Sequence, residues 1–238
     1  MNQKPLPIKE NKLKIKEIID EAPNVKTFRL EIPEDLTYYA GQFFMVWFED
    51  NPKLHRAYSV SSSPTRKGEM EITVILVKEF TSKLFKCKPG DYLIFKGPYG
   101  RFLFTDDMKN HIVLMGGGLG ITPLMSIVRY CHDKKLDNKI NLIYSARTPD
   151  DIIYKEELDK IKKENPHFHY HITITRPEPH HKWDGSTGRI DRDLVDMNIR
   201  DIENSYYYIC GPIEFVNNKL KILDQLGAKK EHIHKEAW

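Results

Sequence analysis

Ile112-Val113-Leu114-Met115-Gly116-Gly117-Gly118-Leu119-Gly120-Ile121-Thr122-Pro123 changes character twice within a dozen residues. Four apolar residues read as a buried strand, four glycines as a tight loop, and Pro123 as the first turn of a helix, where its missing N–H costs nothing. The uncharged run continues to Val128, about the length of a short membrane span, but Gly116, Gly117, Gly118, Gly120 and Pro123 suit strand, loop and helix better. Glycines let backbone approach a pyrophosphate, and the amino end of a helix favours an anion. The spacing is not G-x-G-x-x-G, and a glycine-rich turn alone can be a packing device.

Downstream the same rhythm repeats. Ile140–Ser145, Phe168–Thr175, Tyr206–Cys210 and Ile233–Lys235 read as strands, with helices over Pro123–His132, Ile152–Lys163 and Glu214–Leu226. Such alternation predicts a doubly wound α/β domain with a parallel sheet over residues 106–238, its ligands at the carboxyl ends of the strands. Upstream the pattern is different: Leu13–Ile19, Val25–Ile32, Gln42–Phe48, Ala57–Ser61, Glu71–Val77 and Tyr92–Lys96 are short β-rich runs. Turn signals such as Ala22-Pro23-Asn24, Asp50-Asn51-Pro52 and Lys88-Pro89-Gly90-Asp91 separate them. Residues 1–105 are therefore expected to form a small antiparallel β-barrel.

Composition narrows the function classes. The chain has 238 residues, 40% hydrophobic and 30% charged, which describes a globular protein rather than a disordered one. A net charge of +3 gives no reason to expect nucleic acid as a partner. Cys87, Cys131 and Cys210 are too few and too scattered for an iron–sulfur centre held by four thiolates of this chain, and an odd count suits a reducing compartment. Pro5, Pro7 and charges stand where a signal peptide needs an apolar region, so the expected location is the cytoplasm, without a membrane span. His167, His169 and His171 alternate along a strand, but a solvated edge accounts for them and no metal is expected.

Arg56-Ala57-Tyr58-Ser59 offers a fork for a phosphate, a ring for stacking and a small hydroxyl. Tyr208-Ile209-Cys210-Gly211-Pro212 is a second strand end running into a helix. These motifs, with Gly97-Pro98-Tyr99-Gly100 and Gly117–Pro123 between them, in this order across nearly the whole chain, resemble the ferredoxin–NADP reductase superfamily. The resemblance implies a Greek-key flavin-binding barrel followed by a pyridine-nucleotide domain. By position, Arg56 would pair with the flavin phosphate, Tyr58 would stack on the ring system and Ser59 would lie near N5. Leu76, Val77, Lys78, Thr81 and Ser82 match further flavin contacts. Phe80-Thr81 replace a glycine common in relatives, which leaves FAD and FMN open with FAD favoured. Gly117, Gly118, Gly120, Thr122, Pro123, Ser145, Ala146, Arg147, Cys210, Gly211 and Pro212 would hold the nicotinamide nucleotide.

Glu236-Ala237-Trp238 resembles the Glu-x-aromatic ending of plastid-type reductases, in which the terminal ring covers the flavin. Ser59, Cys210, Glu236 and Trp238 are thus the expected catalytic set, with Ser59 and Glu236 relaying the N5 proton. Arg176, after the strand Phe168–Thr175, resembles the arginine with which NADP-specific relatives hold the 2′-phosphate and favours NADPH over NADH. The function implied is an FAD oxidoreductase exchanging hydride with NAD(P)H and single electrons with a ferredoxin or flavodoxin. A reductase component of an oxygenase or other complex is the alternative within enzymology, and a flavin-binding electron-transfer subunit the alternative outside it.

Overall fold

Two six-stranded sheets organise the chain in the computed structural model, which describes residues 4–109 and 111–238. By packing they fall into two compact units, one of residues 1–105 with 125–133 and the other of residues 106–124 with 134–238.

The first unit is antiparallel. Strands β1 (Lys9–Ala22), β2 (Val25–Glu31), β3 (Phe43–Phe48), β4 (Asn51–Ser59), β5 (Glu69–Ile75) and β6 (Tyr92–Tyr99) lie in the order β4-β3-β6-β1-β2-β5. A bridge between Val60 and Ile72 joins the two ends and closes the sheet into a Greek-key barrel. Alternation drives it: Leu13 and Ile15 face a core with Phe28, Phe44 and Phe95, while Lys12, Lys14 and Lys16 face water. The β1–β2 hairpin turns on Pro23 and Asn24, whose φ of 60° suits the second central residue of a type II turn. Strand β4 begins at Asn51, well before the run expected from Ala57, because Lys53, His55 and Arg56 need no buried face on an outer strand.

Two elements here have little sequence signature. Helix α1 (Glu79–Leu84) is a single short turn, and the hydroxyl of Thr81 accepts from the amides of Val77 and Lys78 and donates to the Lys78 carbonyl. Buried in the same unit, Glu71 accepts from Arg129 at 2.9 Å and from Arg29 at 2.8 Å, and Arg129 also donates to the Ser61 carbonyl.

The second unit is parallel throughout. Strands β7 (Ile112–Gly117), β8 (Ile140–Ala146), β9 (Phe168–Ile174), β10 (Ser186–Thr187), β11 (Tyr206–Gly211) and β12 (Ile233–Ala237) run in the order β10-β9-β8-β7-β11-β12. Helices α2 (Ile121–Asp133), α3 (Lys155–Glu164), α4 (Arg192–Asn198) and α5 (Ile213–Leu226) connect them. Asp191 caps α4 by accepting from the Leu194 amide at 2.9 Å, and Gly227 ends α5 in the left-handed region with a φ of 84°. Among the described residues no helix is long and apolar enough to cross a membrane.

Candidate functional site

The candidate surface of the barrel unit lies on β4 and on the segment that follows β5. Strand pairing sets Arg56 opposite Val46, Tyr58 opposite Phe44 and Ser59 opposite Phe43. Arg56 and Ala57 are exposed, and Tyr58 and Ser59 are half-buried. The Tyr58 ring leans on Phe80 at 5.9 Å, which in turn packs on Phe48 at 5.3 Å, so tilted aromatic contacts back it. Burial pushes the Tyr58 hydroxyl well above its ordinary range, with Arg56 opposing, so the group remains a neutral donor.

Leu76 and Val77 are exposed, Val77 by 65%, beside the exposed Lys78 and Ser82. Two adjoining apolar side chains left open next to a cation and a hydroxyl make a surface suited to a flat, partly apolar ligand. Thr81 is buried, and its hydroxyl proton is committed to the Lys78 carbonyl. Its contribution on this side is to hold the turn.

In the second unit the parallel sheet aligns its candidate residues by register. Cys210 pairs with Gly116 on one side and with Glu236 on the other, which brings three of the sequence-selected segments into one row. Gly117 pairs with Ser145 and Ser145 with Thr173, in the next row toward the carboxyl ends. Beyond them the Arg176 amide donates to the Arg147 carbonyl at 2.7 Å, so Arg147 and Arg176, both exposed, leave the sheet side by side.

The glycine loop is mostly closed and open at one point. A Cβ on Gly120 would lie 2.0 Å from the Cys210 carbonyl oxygen, and one on Gly117 would lie 3.0 Å from the Phe215 ring. Gly118, with a φ of 55°, has nothing within 4 Å of that position. It is a cradle without a side chain, at the carboxyl end of β7 and the amino end of α2. Thr122 donates to the Leu119 carbonyl at 2.9 Å and Pro123 is buried, so both shape the loop from within.

Cys210 is fully buried; burial and then the Glu236 carboxylate push its thiol well above the usual range. It stays protonated, which leaves it a weak donor rather than a nucleophile. Gly211 is buried and Pro212 exposed at the start of α5. The amide of Ile213 donates to the Trp238 carbonyl at 3.2 Å, which ties Trp238 to that helix while its side chain is 56% exposed. Of the residues that the motifs did not single out, His234 stacks on Tyr208 at 4.6 Å and 21°, two rows before Cys210 and Glu236. Burial holds its pKa at about 4, so a neutral ring fixes β12 just ahead of Glu236. His167 and His169 are exposed and His171 half-buried, and among the described residues no three metal-binding side chains converge.

The fold and two family models define an oxidoreductase with an FAD-binding and an NAD-binding domain. Residues 12–104 match the model of an oxidoreductase FAD-binding domain, and residues 114–220 that of an oxidoreductase NAD-binding domain. The chain belongs to the ferredoxin–NADP reductase superfamily.

It is 32% identical to one subunit of a Na(+)-translocating NADH-quinone reductase of Marinomonas sp., over 75% of this chain and 47% of that protein. It is 28% identical to the glycine betaine monooxygenase reductase subunit of Chromohalobacter salexigens, over 93% and 62% respectively. The chain thus spans about half the length of the quinone-reductase relatives. The same fold is found in the cytochrome P450 reductase GcoB of Amycolatopsis, at a TM-score of 0.85 and 21% identity over 97% of this chain and 70% of that one. A ferredoxin NADP+ reductase of Neisseria gonorrhoeae gives 0.81 and 23% over 96% and 98%.

Proposed function

We propose that this chain is the FAD-dependent reductase of an electron-transfer system, taking hydride from NAD(P)H and delivering electrons singly to a separate carrier protein such as ferredoxin or flavodoxin. In this reading residues 1–105 serve the flavin and residues 106–238 the nucleotide. The observation that carries it is the open cradle at Gly118 in a loop whose neighbouring glycines are packed shut. Its left-handed φ favours glycine there, and its place between the end of β7 and the start of α2 leaves the backbone amides open to an anion. A service to an oxygenase or another complex is the second reading, favoured by the names of the two curated relatives. A cytoplasmic setting suits three cysteines that form no disulfide.

Bound FAD supplies the conversion between hydride and single-electron transfer. The residues of this chain would do the rest. Arg56 offers its guanidinium to the flavin phosphate, Tyr58 a supported ring face, and Leu76, Val77 and Lys78 a half-apolar rim, with Ser82 beside them. Ser59 supplies a hydroxyl at N5, and Glu236 holds a proton for it. Gly118 admits the nucleotide pyrophosphate to the amino end of α2, while Ser145, Ala146 and Arg147 line the neighbouring strand end. Cys210, Gly211 and Pro212 border the nicotinamide. Trp238 competes with the nicotinamide ring for the flavin face.

Arg147 and Arg176, side by side, favour NADPH, because two cations can pair with a 2′-phosphate. Asp151, the carboxylate held in the turn after Arg147, accepts from the Thr148 amide at 3.0 Å and hydroxyl at 2.8 Å. NADH is the second reading, from the name of the quinone-reductase relatives.

The test is the purified full chain under anaerobic conditions: its visible spectrum, its extracted cofactor, and reduction by NADH and by NADPH. A yellow protein with FAD, reduced by a nicotinamide nucleotide and reoxidised by a ferredoxin or flavodoxin, is the expected result. A colourless chain that neither FAD nor FMN reconstitutes would sink the reading. Arg176→Ala should weaken NADPH by about tenfold or more and spare NADH. Equal losses for the two nucleotides would remove the NADPH assignment.

A further inference from the structure

Phe215, on the first turn of α5, occupies the side-chain space of two loop glycines together. Its ring atoms lie 3.0 Å from where a Cβ on Gly117 would stand and 2.9 Å from where one on Gly211 would stand. Those glycines end β7 and β11, the two strands whose loops carry the glycine cradle and Cys210-Gly211-Pro212. A flat ring wedged against both Cα atoms sets the gap between the two loops, and the bare Cα atoms are what admit it.

The ring is itself supported. Lys219, one helical turn on and 2% exposed, places its ammonium 5.2 Å from the centre of the Phe215 ring and donates to the Ile190 carbonyl and to Asn218. Desolvation lowers its pKa to about 8, with Asp191 attracting the charge and Arg189 opposing it. Burying an ammonium on neutral acceptors is costly, and this one spans from α5 to the segment leading into α4.

We propose that Phe215 is a positioning residue for the nicotinamide end of the nucleotide, fixing the separation of the Gly117–Gly118 and Gly211–Pro212 backbones, with Lys219 holding the ring in place. The inference rests on the nucleotide reading of these loops given above. Orientation of the donor carbon is where small displacements cost most, and a shift of about 1 Å can lower a rate by about a hundredfold. The adenosine end, held elsewhere, should not respond.

The test is stopped-flow reduction of the bound flavin by NADH and by NADPH, with AMP affinity measured in parallel by calorimetry on the full chain. Phe215→Ala should lower the limiting rate of flavin reduction by about tenfold or more, with FAD content and AMP affinity unchanged. Phe215→Met, which refills the space, should recover most of that rate. A wild-type rate in Phe215→Ala would overturn the inference, and so would loss of AMP affinity in step with the rate, which marks general loosening. Should Phe215→Ala not fold, Gly117→Ala presses a methyl group on the same ring from the other side. It should slow reduction, and Gly117→Ala with Phe215→Leu should recover it; no recovery would count against the proposal. Failure of the wild-type chain to accept hydride from either nucleotide would strike the functional reading instead, and the inference with it.

Discussion

The candidate surfaces of the two units are made of opposite materials. On the barrel the candidate surface is side chain: the Arg56 guanidinium, the Tyr58 ring backed by Phe80 and Phe48, and the exposed Leu76 and Val77. On the parallel sheet it is backbone: the bare Gly118, with Gly120 pressed against the Cys210 carbonyl and Gly117 against Phe215. One is therefore damaged by taking atoms away and the other by adding them. Their cores differ in the same spirit, since the first unit buries Arg129 against the Glu71 carboxylate whereas the second buries Lys219 on a carbonyl and an amide.

The largest effect should come from an added methyl group. In Gly120→Ala the new Cβ would stand 2.0 Å from the Cys210 carbonyl oxygen, and neither backbone can yield cheaply. Overpacking of this kind costs about 3 kcal/mol, enough to weaken nucleotide binding by about a hundredfold. FAD content should remain that of the wild type, so titration of both ligands checks the contrast, and parallel loss of FAD would break it.

The buried ammonium comes next. Lys219 is lowered from 10.5 to about 8, so the folded chain binds this proton more weakly than the unfolded chain. Stability should accordingly rise with pH between about 8 and 10.5 and be lost as pH falls back through that window, by up to roughly 3 kcal/mol. Lys219→Met should abolish that slope in denaturant midpoints measured at both ends of the window. A slope unchanged in the variant would assign the titration to another group.

Removal of side-chain atoms on the barrel follows in size. Arg56→Ala should release FAD more readily by about 1.5–3 kcal/mol, read as a tenfold or larger rise in its dissociation constant, with AMP affinity unaffected. The smallest effect is expected at Trp238, where a displaceable aromatic contact is worth about 1 kcal/mol. Trp238→Ser should tighten nicotinamide binding several-fold and change flavin fluorescence, whereas no change in either would assign the indole another role.

Much of this architecture is legible from pattern. The period-two runs of β1 and β2, the Pro23-Asn24 turn and the strand–glycine–helix passage at Ile112–Pro123 each obey a local rule, and the sheets adopt them. Motif order brings Cys210, Glu236 and the glycine loop into one reading, and strand register places Gly116, Cys210 and Glu236 in one row. What escapes depends on contacts distant in sequence. Nothing local in the sequence says that Glu71 and Arg129 are each other's partner. Phe215 has meaning only once Gly117 of β7 is brought beside Gly211, and His234 only through Tyr208. Helix α4 escapes for a local reason: Asp191 is a good N-cap residue type, but seven residues hold too few turns to show a period.

Helix α2 has a consequence for engineering. Its first turn belongs with the nucleotide unit, whereas residues 125–133 pack with the barrel, where Arg129 meets Glu71 and Ser126 donates to the Ser62 carbonyl at 2.6 Å. A chimera spliced after residue 105 would graft a foreign helix onto those acceptors and leave Glu71 without one of its guanidinium partners. Exchange of barrels between relatives should succeed only where the transplant carries its own version of 125–133, so the heritable module is discontinuous along the chain.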